Sequence, residues 1–159
     1  MSILIIYDSV FGNTEKIAQA IGAALSLQED VETLRVSAVK PEQLAGLKLL
    51  IAGSPTRQFR PTTAMTSFLK GIPGNGLKGV KVATFDTRIT QSKIEATPVL
   101  AFFVRIFGYA AKPMAKILQK KGGELVGLPE GFFVEGTEGP LKEGELERAA
   151  DWARQIIAG

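Results

Sequence analysis

Ser9, Gly12, Asn13 and Thr14 stand between an apolar run, Ile3–Tyr7, and a segment of helical period that begins at Thr14. A strand that turns directly into a helix leaves the first helical N–H groups without intrachain partners, and the positive end of the helix dipole points the same way. Such a turn can hold a phosphate without a dedicated cation. Ser9, Asn13 and Thr14 add side-chain donors. A nucleoside triphosphatase would need Lys directly after the last glycine to reach the outer phosphates, and Gly12 is followed by Asn13, so a single phosphate fits better. An ordinary turn N-capped by Asn13 or Thr14 is the alternative that these residues alone leave open. The chain has neither Cys nor His, which removes the strongest nucleophile, the commonest general base and the preferred zinc and haem ligands. Hard chemistry would have to come from a bound cofactor.

The elements that must position these residues alternate. Strand-like apolar runs occur at Ile3–Tyr7, Val31–Val36, Leu47–Ala52, Val80–Phe85 and Phe132–Val134, with helix-period segments at Thr14–Leu27, Thr62–Lys70, Pro113–Lys121 and Gly144–Ile157 and a short turn near Pro41–Leu44. Pro113 suits a first helical position, and Lys120-Lys121-Gly122-Gly123 suits a helix end. This pattern predicts an α/β fold, a three-layer sandwich around a five-stranded parallel sheet in the order 2-1-3-4-5, with ligand at the carboxyl ends of strands 1 and 3. With 159 residues, 45% of them hydrophobic, one domain over 1–159 is expected. Gly71-Ile72-Pro73-Gly74-Asn75-Gly76 precedes a strand and reads as a turn. Asp8 alone cannot make the acidic pocket of a phospho-receiver domain, and Gly53-Ser54-Pro55 follows the third strand where the phosphoacceptor should stand.

The order Ile5-Ile6-Tyr7-x-Ser9-x-x-Gly12-x-Thr14-x-x-x-Ala18-x-x-Ile21 resembles the flavodoxin signature, whose hydroxyl-lined loop wraps the 5′-phosphate of FMN. Gly53-Ser54-Pro55-Thr56 resembles the second loop of that family, which approaches the flavin ring. The resemblance implies an FMN site in which Ser9, Phe11, Gly12, Asn13 and Thr14 hold the phosphate. Pro55, Thr56, Arg57, Gln58 and Phe59 then flank the isoalloxazine ring, and Asp86, Thr87 and Arg88 supply a third contact from the end of strand 4. It implies an electron-transfer protein shuttling electrons between redox partner proteins. The alternative is an FMN-dependent NAD(P)H:quinone-type oxidoreductase acting on a small apolar acceptor, and a third, weaker class keeps the fold without flavin.

Two departures from the family carry expectations. Many electron-carrier flavodoxins place an aromatic residue and then Gly after the Thr of the second loop, whereas Arg57 and Gln58 stand here, so the φ > 0 conformation is expected to be less accessible and a stable blue semiquinone is not expected. A cation at Arg57 or Arg88, in a chain of net charge +3, should favour the anionic reduced flavin and a higher potential than in typical flavodoxins. The second departure is an apolar insert at about 89–110, longer than the usual connection in such folds. Its core, Pro98–Phe107, is too short to span a bilayer. It is expected to pack partly beside the flavin and partly on a second copy of the chain, with peripheral membrane contact through Arg105 as a further option. Dispersed Lys and Arg argue against nucleic acid as a partner. The lack of a signal segment or membrane span leads to an expected cytoplasmic location.

Overall fold

Nine-residue strands buried on both faces form the centre of the molecule, as expected where helices cover both sides of a parallel sheet. In the computed structural model, residues 2–90 and 96–159 are described, with only the backbone at 103 and 105–107. The elements run β1 (Ser2–Tyr7), α1 (Asn13–Leu25), β2 (Val31–Arg35), two 3₁₀ turns at Val36–Ala38 and Pro41–Leu44, β3 (Leu47–Pro55), α2 (Thr63–Lys70), β4 (Lys81–Ile89), α3 (Pro98–Phe107), α4 (Ala111–Lys120), β5 (Glu124–Leu125), β6 (Glu130–Val134) and α5 (Glu145–Ala158). All described strand pairs are parallel, in the order β2-β1-β3-β4, with β5 and β6 both along the outer edge of β4.

The expected order 2-1-3-4-5 is present, and a sixth strand is added at that edge. β5 pairs with Lys81 and Val82, and β6 pairs with Phe85 through Ile89, so the fifth position is filled by two short strands. Gly127, at φ 69, and Pro129 lie between them, and Pro has no N–H to give the ladder. Helix α4 begins at Ala111, two residues before Pro113, and the long connection after β4 holds a helix, α3. Of the apolar residues of this insert expected to be covered, Phe102 is half exposed and Leu100 partly buried, while the side chains at 103, 106 and 107 lie outside the described residues.

Alternation along each strand divides the core. Ile3, Ile5, Ile51, Phe85 and Phe132 pack against Ile17 and Ile21 of α1 and Trp152 and Ile156 of α5. Leu4, Ile6, Leu50 and Val82 pack against Met65 and Leu69 of α2 and Met114 and Leu118 of α4 on the other face. Phe85, Phe132 and Trp152 meet edge to face with centroids 5.9–6.0 Å apart. Gly53 is required there by close approach, because a Cβ would stand 2.0 Å from the Phe85 ring. Register sets Tyr7 opposite Gly53, Pro55 opposite Thr87, and Thr87 opposite Phe132, so the loops after β1, β3, β4 and β6 emerge side by side at one edge.

Candidate functional site

The loop from Asp8 to Gly12 joins β1 to α1 at that edge. Gly12 is the N-cap at φ 90, ψ −5, a left-handed conformation that suits glycine, and it has no side chain with which to cap the helix. Asn13 and Thr14 are therefore helical and do not cap. Among the described residues the N–H groups of Val10, Phe11, Asn13 and Thr14 take no acceptor, whereas Ser9 Oγ accepts from the N–H of Gly12 at 3.1 Å and of Glu15 at 3.4 Å. An array of unpaired N–H groups at the N-terminus of a thirteen-residue helix has the chemistry to hold a phosphate. Thr14, buried, shares a 2.9 Å hydrogen bond with Thr87 Oγ1, and Asn13 Nδ2 donates to the carbonyl of Glu138 at 3.1 Å, tying this turn to β4 and to the loop after β6.

Asp8, set aside in the sequence reading, anchors the loop. Its Oδ1 accepts from Ser9 N–H at 2.9 Å and Arg35 Nη1 at 3.2 Å, and its Oδ2 accepts from Thr62 Oγ1 at 2.6 Å. Arg35 also donates to the Ser9 carbonyl at 2.9 Å. Thr62 caps α2 through a bond from Met65 N–H. One carboxylate thus joins the loop after β1 to the end of β2 and the start of α2. With its oxygens engaged by these donors, its charge is offset beside an incoming phosphate.

A cavity of about 80 Å³ lies over this loop and includes Ser9, Phe11, Asn13, Thr14, Pro55, Thr56, Arg57, Thr87 and Arg88 of the residues named from sequence. Ile89, the first residue of the apolar insert, also lines it, as do Val10, Val134 and Thr137, which were not foreseen. The rule that ligands lie at the carboxyl ends of strands was the signal that could have found Thr137, which follows β6. Gln58 and Phe59 instead face an adjoining cavity of about 320 Å³, which shares Thr56, Arg88 and Ile89 with the first. Asp86 lines neither. It is fully buried, with Arg88 Nε and Nη2 each 2.7 Å from its two oxygens and the Ala111 N–H at 2.9 Å. Burial pushes its carboxyl above the ordinary range, and Arg88 and Ala111 pull against that. The Arg88 guanidinium lies 3.7 Å from the centroid of the Tyr109 ring and against Gly131, where a Cβ would approach to 2.1 Å.

The second loop corrects the sequence expectation. Arg57 and Arg60 exchange backbone hydrogen bonds of 2.7 and 3.0 Å, and the two residues between them, Gln58 and Phe59, sit at φ 50 and φ 68. The φ > 0 conformation is therefore adopted without glycine, because a two-residue hairpin demands it at both central positions. Left-handed backbone costs a residue with Cβ roughly 1–2 kcal/mol. Thr56 fixes the approach to the hairpin by donating its N–H to Thr87 O at 3.0 Å and accepting the Ala110 N–H on Oγ1 at 3.1 Å.

The chain matches the family model of the flavodoxin domain over residues 4–133 and belongs to the flavodoxin family. Its function is flavodoxin-like electron transfer, and a flavin is the implied cofactor. It is 25% identical to an NAD(P)H dehydrogenase (quinone) of Geobacter sulfurreducens over 100% of this chain and 85% of that protein. Its fold is similar to that of a flavodoxin from the domain Archaea, with TM-score 0.75 and 19% identity over 99% of this chain and 97% of the other. It is likewise similar to oxidised Flavodoxin 2 from Bacillus cereus, with TM-score 0.74 and 23% identity over 99% of both chains. No helix among the described residues is long and apolar enough to cross a membrane.

Proposed function

We propose that the flavin is FMN and that the protein shuttles electrons between redox partners, with the phosphate held by the loop Ser9–Thr14. The observation that carries this reading is the set of four N–H groups at 10, 11, 13 and 14 without acceptors among the described residues, beside the Thr14 and Thr87 hydroxyls. This donor set suits a phosphomonoester dianion, the group that distinguishes FMN from riboflavin. Pro55, Thr56, Arg57 and Ile89 then border the path of the sugar chain toward the ring, and Arg57 places a cation over Phe11, 5.6 Å from its centroid. When bound, the flavin supplies the redox chemistry, and the chain supplies site and electrostatics. Titration of the flavin-free protein with FMN and with riboflavin, followed by flavin fluorescence, tests this. FMN is expected to bind far more tightly, and Thr14→Ala to weaken it by roughly 1–2 kcal/mol. Equal affinity for the two flavins would remove the phosphate loop from the assignment.

A second reading, an FMN-dependent NAD(P)H:quinone-type oxidoreductase, is favoured by the larger apolar cavity that opens from the phosphate cleft. Steady-state turnover with NADPH and a quinone separates it from a pure carrier.

A further inference from the structure

The second cavity has walls made by Phe59, Ile89, Leu100, Val104 and Tyr109, drawn from the hairpin after β3, the end of β4, helix α3 and the segment before α4. We propose that it binds a neutral one- or two-ring quinone. The proposal rests on the oxidoreductase reading above and deepens it by giving the acceptor its place and its chemical class.

Size sets the first limit. At about 320 Å³ the cavity is near the small end of the roughly 300–1,000 Å³ typical of small-molecule sites. One or two fused rings fit within it.

Charge sets the second. Among the described residues Arg88 is the only ionisable group on the wall besides the Tyr109 phenol, which burial pushes up and keeps neutral. The Arg88 charge is matched by the buried Asp86 carboxylate through two 2.7 Å bonds. The pair leaves a wall of no net charge, which suits a neutral ligand.

Hydrogen bonding sets the third. Arg88 spends Nε and Nη2 on Asp86, while Nη1 takes no acceptor among the described residues. Gln58, which also lines this cavity, carries an amide donor. Donors at the polar edge of an otherwise apolar slot suit a flat ring carrying carbonyl oxygens.

Position sets the fourth. Thr56, Arg88 and Ile89 belong to both cavities, so a ring in the second lies directly beside whatever occupies the first near Thr56. Reducing a quinone to its hydroquinone takes two electrons and two protons; the anionic reduced flavin expected here would supply a hydride, and solvent would supply the second proton.

The test titrates 2-methyl-1,4-naphthoquinone into the ¹⁵N-labelled protein, flavin-free and FMN-loaded, and follows backbone amide shifts. The expected result is saturable shifts at Gln58, Phe59, Leu100, Val104 and Tyr109, and a dissociation constant raised at least tenfold by Leu100→Trp, which fills the cavity. An anionic naphthoquinone sulfonate is expected to bind more weakly than the neutral ring. Shifts confined to Ser9–Thr14 or to the Trp152 region would overturn the proposal, as would unchanged affinity in a folded Leu100→Trp. If that variant does not fold, Val104→Phe and the parent shift map decide. The two readings fail separately: quinone shifts in a protein that takes no FMN leave the subsite standing and remove the FMN reading, and tight FMN binding without quinone shifts removes the subsite alone.

Discussion

Asp8 shows how one side chain can hold a site that it does not line. Its carboxylate takes hydrogen bonds from Ser9, Arg35 and Thr62, three segments that meet at the loop after β1. Asp8→Ala leaves the Arg35 guanidinium and the Thr62 hydroxyl without this acceptor, at a cost of roughly 1–3 kcal/mol. We expect FMN affinity measured by calorimetry to fall with stability, while Asp8→Asn, which keeps Oδ1 as an acceptor, retains most of both. Unchanged FMN affinity in folded Asp8→Ala would show that the loop is held by Arg35 and Ser9 alone. A second residue-scale prediction concerns Gln58. Relieving left-handed strain of roughly 1–2 kcal/mol against a glycine entropy cost of roughly 0.5–1 kcal/mol gives Gln58→Gly a net gain of about 0.5–1 kcal/mol, read from the midpoint of urea unfolding. A loss of stability would mean that the Gln58 side chain makes a compensating contact. The order of residues around Gly12 was enough to place the turn between β1 and α1. It could not reveal that Asp86 faces inward, because a carboxylate at a strand end reads the same whether it meets ligand or a buried arginine two residues on.

At the scale of elements, the long apolar runs of β1, β3 and β4 were legible because both faces of a parallel strand are buried. The two-residue β5 was not, since Glu124 and Leu125 carry no period of their own. The outer edge of β6 is closed by α5 in a way no sequence pattern announces. Glu145 accepts the Phe133 N–H at 2.7 Å, and Arg148 donates to both Glu145 and the Gly131 carbonyl, so side chains satisfy an edge that would otherwise invite another strand. Burial pushes the Glu145 carboxyl up, but the hydrogen bonds from Arg148 and Phe133 and the charges of Arg148 and Lys142 outweigh it and leave it below the usual carboxylate range. A depressed folded value means that its contribution is present above the unfolded pKa, about 4.3, and is lost as pH falls through the folded value. Glu145→Gln is expected to cost about 1–2 kcal/mol at neutral pH and to flatten the acid limb of the stability profile below about pH 4.3. Parallel pH profiles for parent and variant would contradict this account.

At the scale of the whole molecule, the excess of 19 Lys and Arg over 16 Asp and Glu matters only where a cation near the flavin lacks a partner. Arg88 does not qualify, because Asp86 neutralises it, and this revises the expectation that either Arg57 or Arg88 would raise the potential. Arg57 does qualify. It is exposed, stands over Phe11, and forms no ion pair among the described residues. A lone cation close to the ring favours the state with more negative charge, so Arg57→Gln should lower the two-electron potential of bound FMN. At an exposed site, where the effective dielectric approaches that of water, the shift is on the order of 10–20 mV. Salt shortens the reach of this charge to about 8 Å at 0.15 M and about 3 Å at 1 M, so the difference between parent and variant should shrink as salt is added. Spectroelectrochemical titration of both proteins at low and high ionic strength checks the pair of expectations together. A potential that is equal in the two proteins at low salt places Arg57 too far from the flavin to matter, and a difference that persists at 1 M assigns the effect to a change of loop geometry and removes charge as its cause.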